Sequence, residues 1–248
     1  MIYINGKWTE GKGVSFTSIS PLDNKLIWDG NYASNSQVLS AINSAHAAFP
    51  DWNKRGLDSR LKIIQKFYTL LEINKEKIKD LIKLETGKEL ADSLSEVGAS
   101  IAKYKNSLNA FHERTGKSSS PLGKNTQITN HRPHGVLSVI GPFNFPFHLP
   151  NGHITPALIA GNVIIFKPSE HTPLVGELMV QLWHEAGIPN GVINLLHGSK
   201  DVVRSLAKHP KTNGLLFTGS HIAGMSLSKL MANYPNKILA LELGGNNP

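Results

Sequence analysis

From residue 134 onward the chain repeats a single alternation, and that alternation leaves few folds open to it. Five short apolar runs, GVLSVIG (135–141), NVIIFKP (162–168), GVINLLHG (191–198), GLLFTGS (214–220) and KILALELGG (237–245), are separated by helical stretches near 148–160, 173–187, 200–208 and 220–233. Strands alternating with helices at this pitch make βαβ units. The apolar runs are continuous rather than alternating, so both faces of the resulting parallel sheet must be covered. With right-handed crossovers the expectation is an α/β, doubly wound, Rossmann-like part over 134–248, with ligands bound beyond the carboxyl ends of its strands.

Residues 1–133 read differently. INGKW places the turn pair Asn5-Gly6 between apolar residues, a hairpin signal. A helix over 35–50 puts Val38, Ile42, Ala45 and Phe49 on one face and is expected to close at Pro50. Asp58 or Ser59 is expected to cap the next helix, whose stripe carries Leu61, Ile64, Phe67, Leu71, Ile78 and Ile82, with a break near Asn74. Gly87 in ETGK suits a helix C-cap, and a third helix follows to about His112. The polar stretch 115–130 reads as a loop leading into an exposed strand.

The chemistry of such a sheet sits at its strand ends. After the first strand, GPFNFP is too bulky for a dinucleotide fingerprint. Asn144, boxed by aromatics and prolines, offers either a fixed NH2 donor for a developing oxyanion or a bond to its own turn. After the second, FKPSE places Lys167 and Glu170 where a Rossmann sheet holds a ribose. A carboxylate there favours NAD over NADP; a plain turn with Ser169 as helix cap is the other reading. After the fourth, Gly219 and Gly224 frame a turn into a helix that Ser220 can cap, a place for a phosphate. After the fifth, Glu242 stands among leucines, a setting for a general base or for a salt-bridged strand end, and Gly244-Gly245 permits close approach.

Composition narrows the classes. The 248 residues include no cysteine, so disulfides, thiolate metal sites and a cysteine nucleophile cannot come from them. No secretory leader and no run long enough to span a bilayer is visible, which points to a cytoplasmic protein without a membrane partner. The net charge of +8 raises nucleic-acid binding. The basic residues cluster over 54–88 but are interleaved with Glu72, Glu76, Asp80 and Glu85 at helical spacing, which reads as a solvated face. No nucleic-acid partner and no metal is expected.

Taken in order, GPFNFP, FKPSE, FTGS and LELGG resemble the aldehyde dehydrogenase superfamily, and the likeness extends over INGKW and ETGK. The stretches FHERTG, HRPHGVL, FPFHLPNGHITPAL and LELGGNNP are most similar to its N-succinylglutamate semialdehyde dehydrogenases of arginine catabolism. The resemblance implies an NAD-dependent oxidoreductase acting on a small aldehyde. Asn144 then helps bind the oxyanion, and Lys167 and Glu170 contact the adenosine ribose. Gly219, Ser220 and Gly224 form the nucleotide-binding turn, and Glu242 activates the water that cleaves a thioester. Arg114, His148 and His153 lie in the subfamily stretches and are candidates for the substrate's carboxylates, with surface or capping roles as the plain alternative. The complete enzyme is implied to be a homo-oligomer, with an arm over 121–135.

One departure qualifies the rest. In the resembling enzymes a cysteine thiolate attacks the aldehyde from a separate catalytic domain, and this chain ends at Pro248 with no cysteine. It is therefore expected to match an N-terminal half and to be inactive alone. A noncatalytic NAD-binding module or an inert remnant is the competing expectation, and a basic nucleic-acid binder is the last.

Overall fold

In the computed structural model, which describes residues 1–115 and 117–244 apart from the Lys117 side chain, each of the five apolar runs forms a strand. Gly245, named above as part of a glycine pair, lies outside the described residues. The chain opens with β1 (Ile2–Ile4), β2 (Lys7–Thr9), β3 (Ser15–Ile19) and β4 (Leu26–Asn31). Four helices follow: α1 (Asn35–Lys54), α2 (Leu57–Ile73), α3 (Lys75–Thr86) and α4 (Leu90–Arg114). A hairpin of β5 (Lys117–Leu122) and β6 (Asn125–Asn130) leads to the alternating part. That part runs β7 (Val136–Ile140), α5 (His148–Ile159), β8 (Val163–Lys167), α6 (Pro173–Glu185), β9 (Ile193–Leu195), α7 (Lys200–Lys208), β10 (Gly214–Gly219), α8 (His221–Met231) and β11 (Ile238–Leu243).

The sheet has the order β11-β10-β7-β8-β9-β1-β2. Its five later strands are parallel, and every residue of β7 and β8 is buried, as continuous apolar runs require. Helices α5 and α6 cover one face; α1, α7 and α8 cover the other. The N-terminal hairpin does not stand apart from this sheet. It extends it, with Tyr3 of β1 antiparallel to Leu195 of β9. Asn5 and Gly6 both take positive φ, 50° and 81°, as a tight hairpin turn of this hand demands. Gly6 is also required by space, since a Cβ there would stand 2.0 Å from Asn190 Oδ1.

Several boundaries differ from expectation for identifiable reasons. Helix α1 continues through Pro50 to Lys54. A proline inside a helix costs about 3 kcal/mol, but the last turn carries Trp52 into the core at 1% exposure. The start of α1 is set by a capping box, Ser34 with Gln37, that the spacing S-x-x-Q announces. Helix α2 begins at Leu57, so Asp58 lies in its first turn near the positive end of the dipole, and neither Asp58 nor Ser59 is the cap. The break at Asn74 and the left-handed C-cap at Gly87 are as read. Within the stretch expected to be a loop and one strand, residues 117–130 form a two-stranded hairpin. Its serine-rich first strand has no apolar alternation to announce it, and β6 is exposed along its whole length. Among the described residues no helix is long and apolar enough to cross a membrane.

Helix α5 is a poor helix by sequence. Pro150, Gly152 and Pro156 fall within His148–Ile159. Other elements hold it. Glu96 of α4 accepts from the backbone N–H of Phe147 (3.0 Å) and His148 (3.1 Å) at its start. The guanidinium of Arg60 donates twice to the Ile159 carbonyl at its end, at 3.2 and 3.0 Å. Each buried charge thus meets the helix end of opposite sign. Between them Asn151 donates to Tyr68 Oη and the Ser100 carbonyl, and Thr155 donates to Asn151 Oδ1. Arg60 belongs to the basic stretch read as a solvated face, yet it is buried.

The same device recurs at α6. Both carboxylate oxygens of Glu85 accept backbone N–H groups, from Leu174 and Val175, each at 2.8 Å. Burial pushes the Glu85 carboxyl up to about 8, against these two bonds, which favour the charged form. Because the folded value lies above the unfolded 4.5, the contribution of Glu85 is complete below pH 4.5 and is lost as pH rises through about 8. Urea unfolding should therefore show stability falling across that window, and Glu85→Gln should flatten the fall. An unchanged slope in the variant would contradict this assignment.

Candidate active site

Every strand-to-helix turn at the carboxyl edge of a parallel sheet presents a helix N-terminus, and each is a potential anion site. Here two are already filled from within the chain, α5 by Glu96 and α6 by Glu85. The start of α8 is different. Ser220 caps it by accepting from Ala223 N at 3.3 Å, and among the described residues no carboxylate is hydrogen-bonded to it. The unfilled end opens onto a cavity of about 1190 Å³ lined by Asn144, Lys167, Glu170, Gly219, Ser220 and Glu242. The strand-end residues singled out by sequence thus converge on one space, with Gly224 as the exception.

Lys167, the last residue of β8, is buried, and its Nζ lies 3.1 Å from Glu170 Oε2. Burial holds its ammonium below the usual lysine range, with Glu170 opposing that shift. Burial pushes the half-exposed Glu170 carboxyl up, but the Lys167 charge and hydrogen bonds outweigh it and leave the group below the usual range. The pair presents one fixed carboxylate and one fixed ammonium side by side. Ser169, the alternative helix cap, instead accepts from His171 N within the turn, at 3.2 Å.

Gly224 is not part of the turn. It lies inside α8, where a Cβ would stand 2.4 Å from Leu243 Cδ2, so its smallness lets the helix pack on β11. Asn144 is exposed rather than boxed. Phe143 and Phe145 turn outward at 57% and 41% exposure. What steadies the turn is Lys88, whose Nζ sits 3.5 Å from the Phe145 ring centroid and 2.7 Å from Glu96 Oε2. Neither Lys88 nor Glu96 was singled out from sequence. The available signal was an acid on the otherwise small and uncharged, largely serine, buried stripe of α4.

Glu242 is also exposed, its side chain at 54%. Sequence neighbours suggested an apolar sheath, but the pleat of a strand separates them. Leu243 turns toward α8, whereas Glu242 turns toward α5. There His153 Nε2 lies 3.6 Å from Glu242 Oε1 and 3.2 Å from Thr218 Oγ1, and Thr218 is the ladder partner of Glu242. His153 thus faces the strand-end acid. Burial holds its imidazole below the usual histidine range; Lys103 acts in the same direction and Glu242 against it.

His148 lines the cavity, and its Nδ1 is buried without a hydrogen-bond partner. Burial first, then Lys103, lower its affinity for a proton. Arg114 is not brought to the site. It is the last, exposed residue of α4, whereas Ser95 and Ala99 of that helix line the cavity. At 1.5 Å per residue the arginine lies roughly 20 Å farther along.

Comparison with known proteins agrees with this arrangement. The signature of the aldehyde dehydrogenase family matches residues 8–248. The N-succinylglutamate 5-semialdehyde dehydrogenase of Acinetobacter baylyi is 48% identical over 246 residues, 99% of this chain and 50% of that protein. The protein of the same name from Yersinia pseudotuberculosis is also 48% identical, over 99% of this chain and 49% of its own length. This chain therefore spans about half the length of the curated relatives it matches. Among solved structures, an NAD-dependent benzaldehyde dehydrogenase from Corynebacterium glutamicum superposes with a TM-score of 0.92 at 31% identity, over 100% of this chain and 55% of its own. An NADP-dependent enzyme of E. coli gives 0.94 at 28%, over 100% and 52%. On these matches the chain belongs to the aldehyde dehydrogenase family.

Proposed function

We propose that this chain supplies the nucleotide-binding half of an NAD-dependent dehydrogenase that oxidises N-succinylglutamate 5-semialdehyde to N-succinylglutamate. The observation that carries the reading is the convergence of an amide donor, a lysine–glutamate pair, a helix start with no carboxylate bonded to it and a glutamate on one cavity. The relatives named for that reaction support the choice of substrate.

The residues present fit a dinucleotide. Glu170 is placed to accept from ribose hydroxyls, with Lys167 beside it, and the start of α8 with Gly219 and Ser220 is left for a phosphate. NAD, when bound there, would supply the acceptor for hydride from the aldehyde carbon. Asn144 donates from its side-chain NH2 to the carbonyl oxygen as negative charge gathers there. Glu242 takes a proton from the water that attacks the acyl carbon, freeing the carboxylate product and the thiol. The attacking sulfur is not available from these residues, which include no cysteine. The hairpin of β5 and β6 we read as an arm that pairs with another copy of the protein.

Two outcomes follow. The purified chain should bind NAD in calorimetry yet form no NADH with the semialdehyde, since no covalent adduct can form; sustained turnover would refute the division of labour. Absence of both binding and turnover would instead favour an inert remnant. Second, the Glu170 carboxylate should repel a 2′-phosphate. Glu170→Gln should narrow the preference for NAD over NADP by about tenfold, roughly 1.4 kcal/mol. An unchanged ratio of the two dissociation constants would remove Glu170 from cofactor selection.

A further inference from the structure

Beyond the cavity wall at His148 the facing stripes of α4 and α5 continue. On α4, Ser95 and Ala99 line it, and the next residue on that face, four positions on, is Lys103. On α5, His148 lines it, and the next residue on that face is Gly152. These two stripes meet. The ammonium and Cε of Lys103 lie over Gly152, where a Cβ would stand 3.4 Å from each. A glycine in a helix interior weakens the helix. Here, one turn beyond the cavity wall, it leaves a notch that the end of the Lys103 side chain occupies.

That cation has no counter-charge. Among the described residues Lys103 makes no ion pair. The nearby acids are engaged elsewhere, Glu96 with Lys88 and Glu242 facing His153. The groups around it on α5, His148 and His153, are both held toward the neutral form by burial and by Lys103 itself. A positive charge with no ion-pair partner among the described residues therefore stands one helical turn beyond the wall of the cavity that Asn144 lines.

We propose that the notch of Lys103 over Gly152 is the seat for a carboxylate at the tail of the substrate. The assignment deepens the proposed function and rests on it for the direction in which the substrate lies. It moves the tail-binding role from Arg114, which is remote, to a lysine on the same helix one turn beyond the cavity wall. The ammonium supplies the charge, and Gly152 sets no side chain beside it. An aldehyde with an acidic tail then lies along the groove between α4 and α5 with its carbonyl toward Asn144.

The probe is N-succinylglutamate, titrated into the nitrogen-15-labelled chain and followed by amide NMR shifts. The Gly152 amide and its neighbours over 99–103 and 148–153 should shift and saturate. Lys103→Met should weaken binding by about tenfold or more, as loss of a charge-assisted bond implies, while Lys103→Arg should retain most of it. The trimethyl ester of the probe should leave these amides in place. Three results would each overturn the proposal: no shift in this region with the parent chain, the same affinity in Lys103→Met, or equal shifts with the ester. NAD titrated into the same samples reports on Gly219 and Ser220 instead. Loss of that response would count against the proposed function while leaving the carboxylate result to be read by itself.

Discussion

Helix α5 is held by charges it does not own, and the geometry of the site depends on that. Its sequence, with two prolines and a glycine, would not persist as a helix in water. Glu96 at its start and Arg60 at its end complement the dipole from α4 and α2. The Asn151, Tyr68 and Thr155 bonds lock its buried face, and Tyr68 is so enclosed that burial pushes its phenol up to about 12. Once α5 is fixed, His148, Gly152 and His153 are fixed, and so is the turn that carries Asn144. Glu96 therefore acts at two places with one carboxylate: Oε1 takes the helix N-terminus, and Oε2 takes the lysine that steadies Phe145.

The pattern of filled and unfilled helix starts explains where an anion can go. A parallel sheet offers several equivalent N-termini along one edge, and nothing in backbone geometry chooses among them. The choice is made by acids from the preceding helical region. Glu85 occupies α6 and Glu96 occupies α5, whereas among the described residues no carboxylate is hydrogen-bonded to the start of α8, which faces the cavity. The helices of 1–133 thus contribute to specificity although they contain none of the strand-end residues.

Much of this was legible in the sequence because it depends on local order. The strands beginning at Val136, Val163, Ile193, Gly214 and Ile238 follow from uninterrupted apolar runs, and Lys167, Ser220 and Glu242 follow from their places at strand ends. What was not legible depends on direction in space. Leu241 and Leu243 flank Glu242 in sequence, but the pleat sends them elsewhere, so the expected apolar sheath is absent. Gly224 read as a turn residue because glycine serves turns and close helix packing equally, and only the position of Leu243 distinguishes them. Arg114 shares α4 with the cavity wall yet sits turns away from it. Lys103 could not be separated from other helical lysines without knowing that it overlies a glycine on α5.

The antiparallel seam between Tyr3 and Leu195 has a consequence for how the molecule forms. Tyr3 is fully enclosed, yet its partner Leu195 lies about 190 residues farther along the chain. Closing so long a loop is entropically slow, and such distant pairings lower folding rates across small proteins. This seam is therefore among the last contacts to form, and until then the edge of β9 stays open to any other strand.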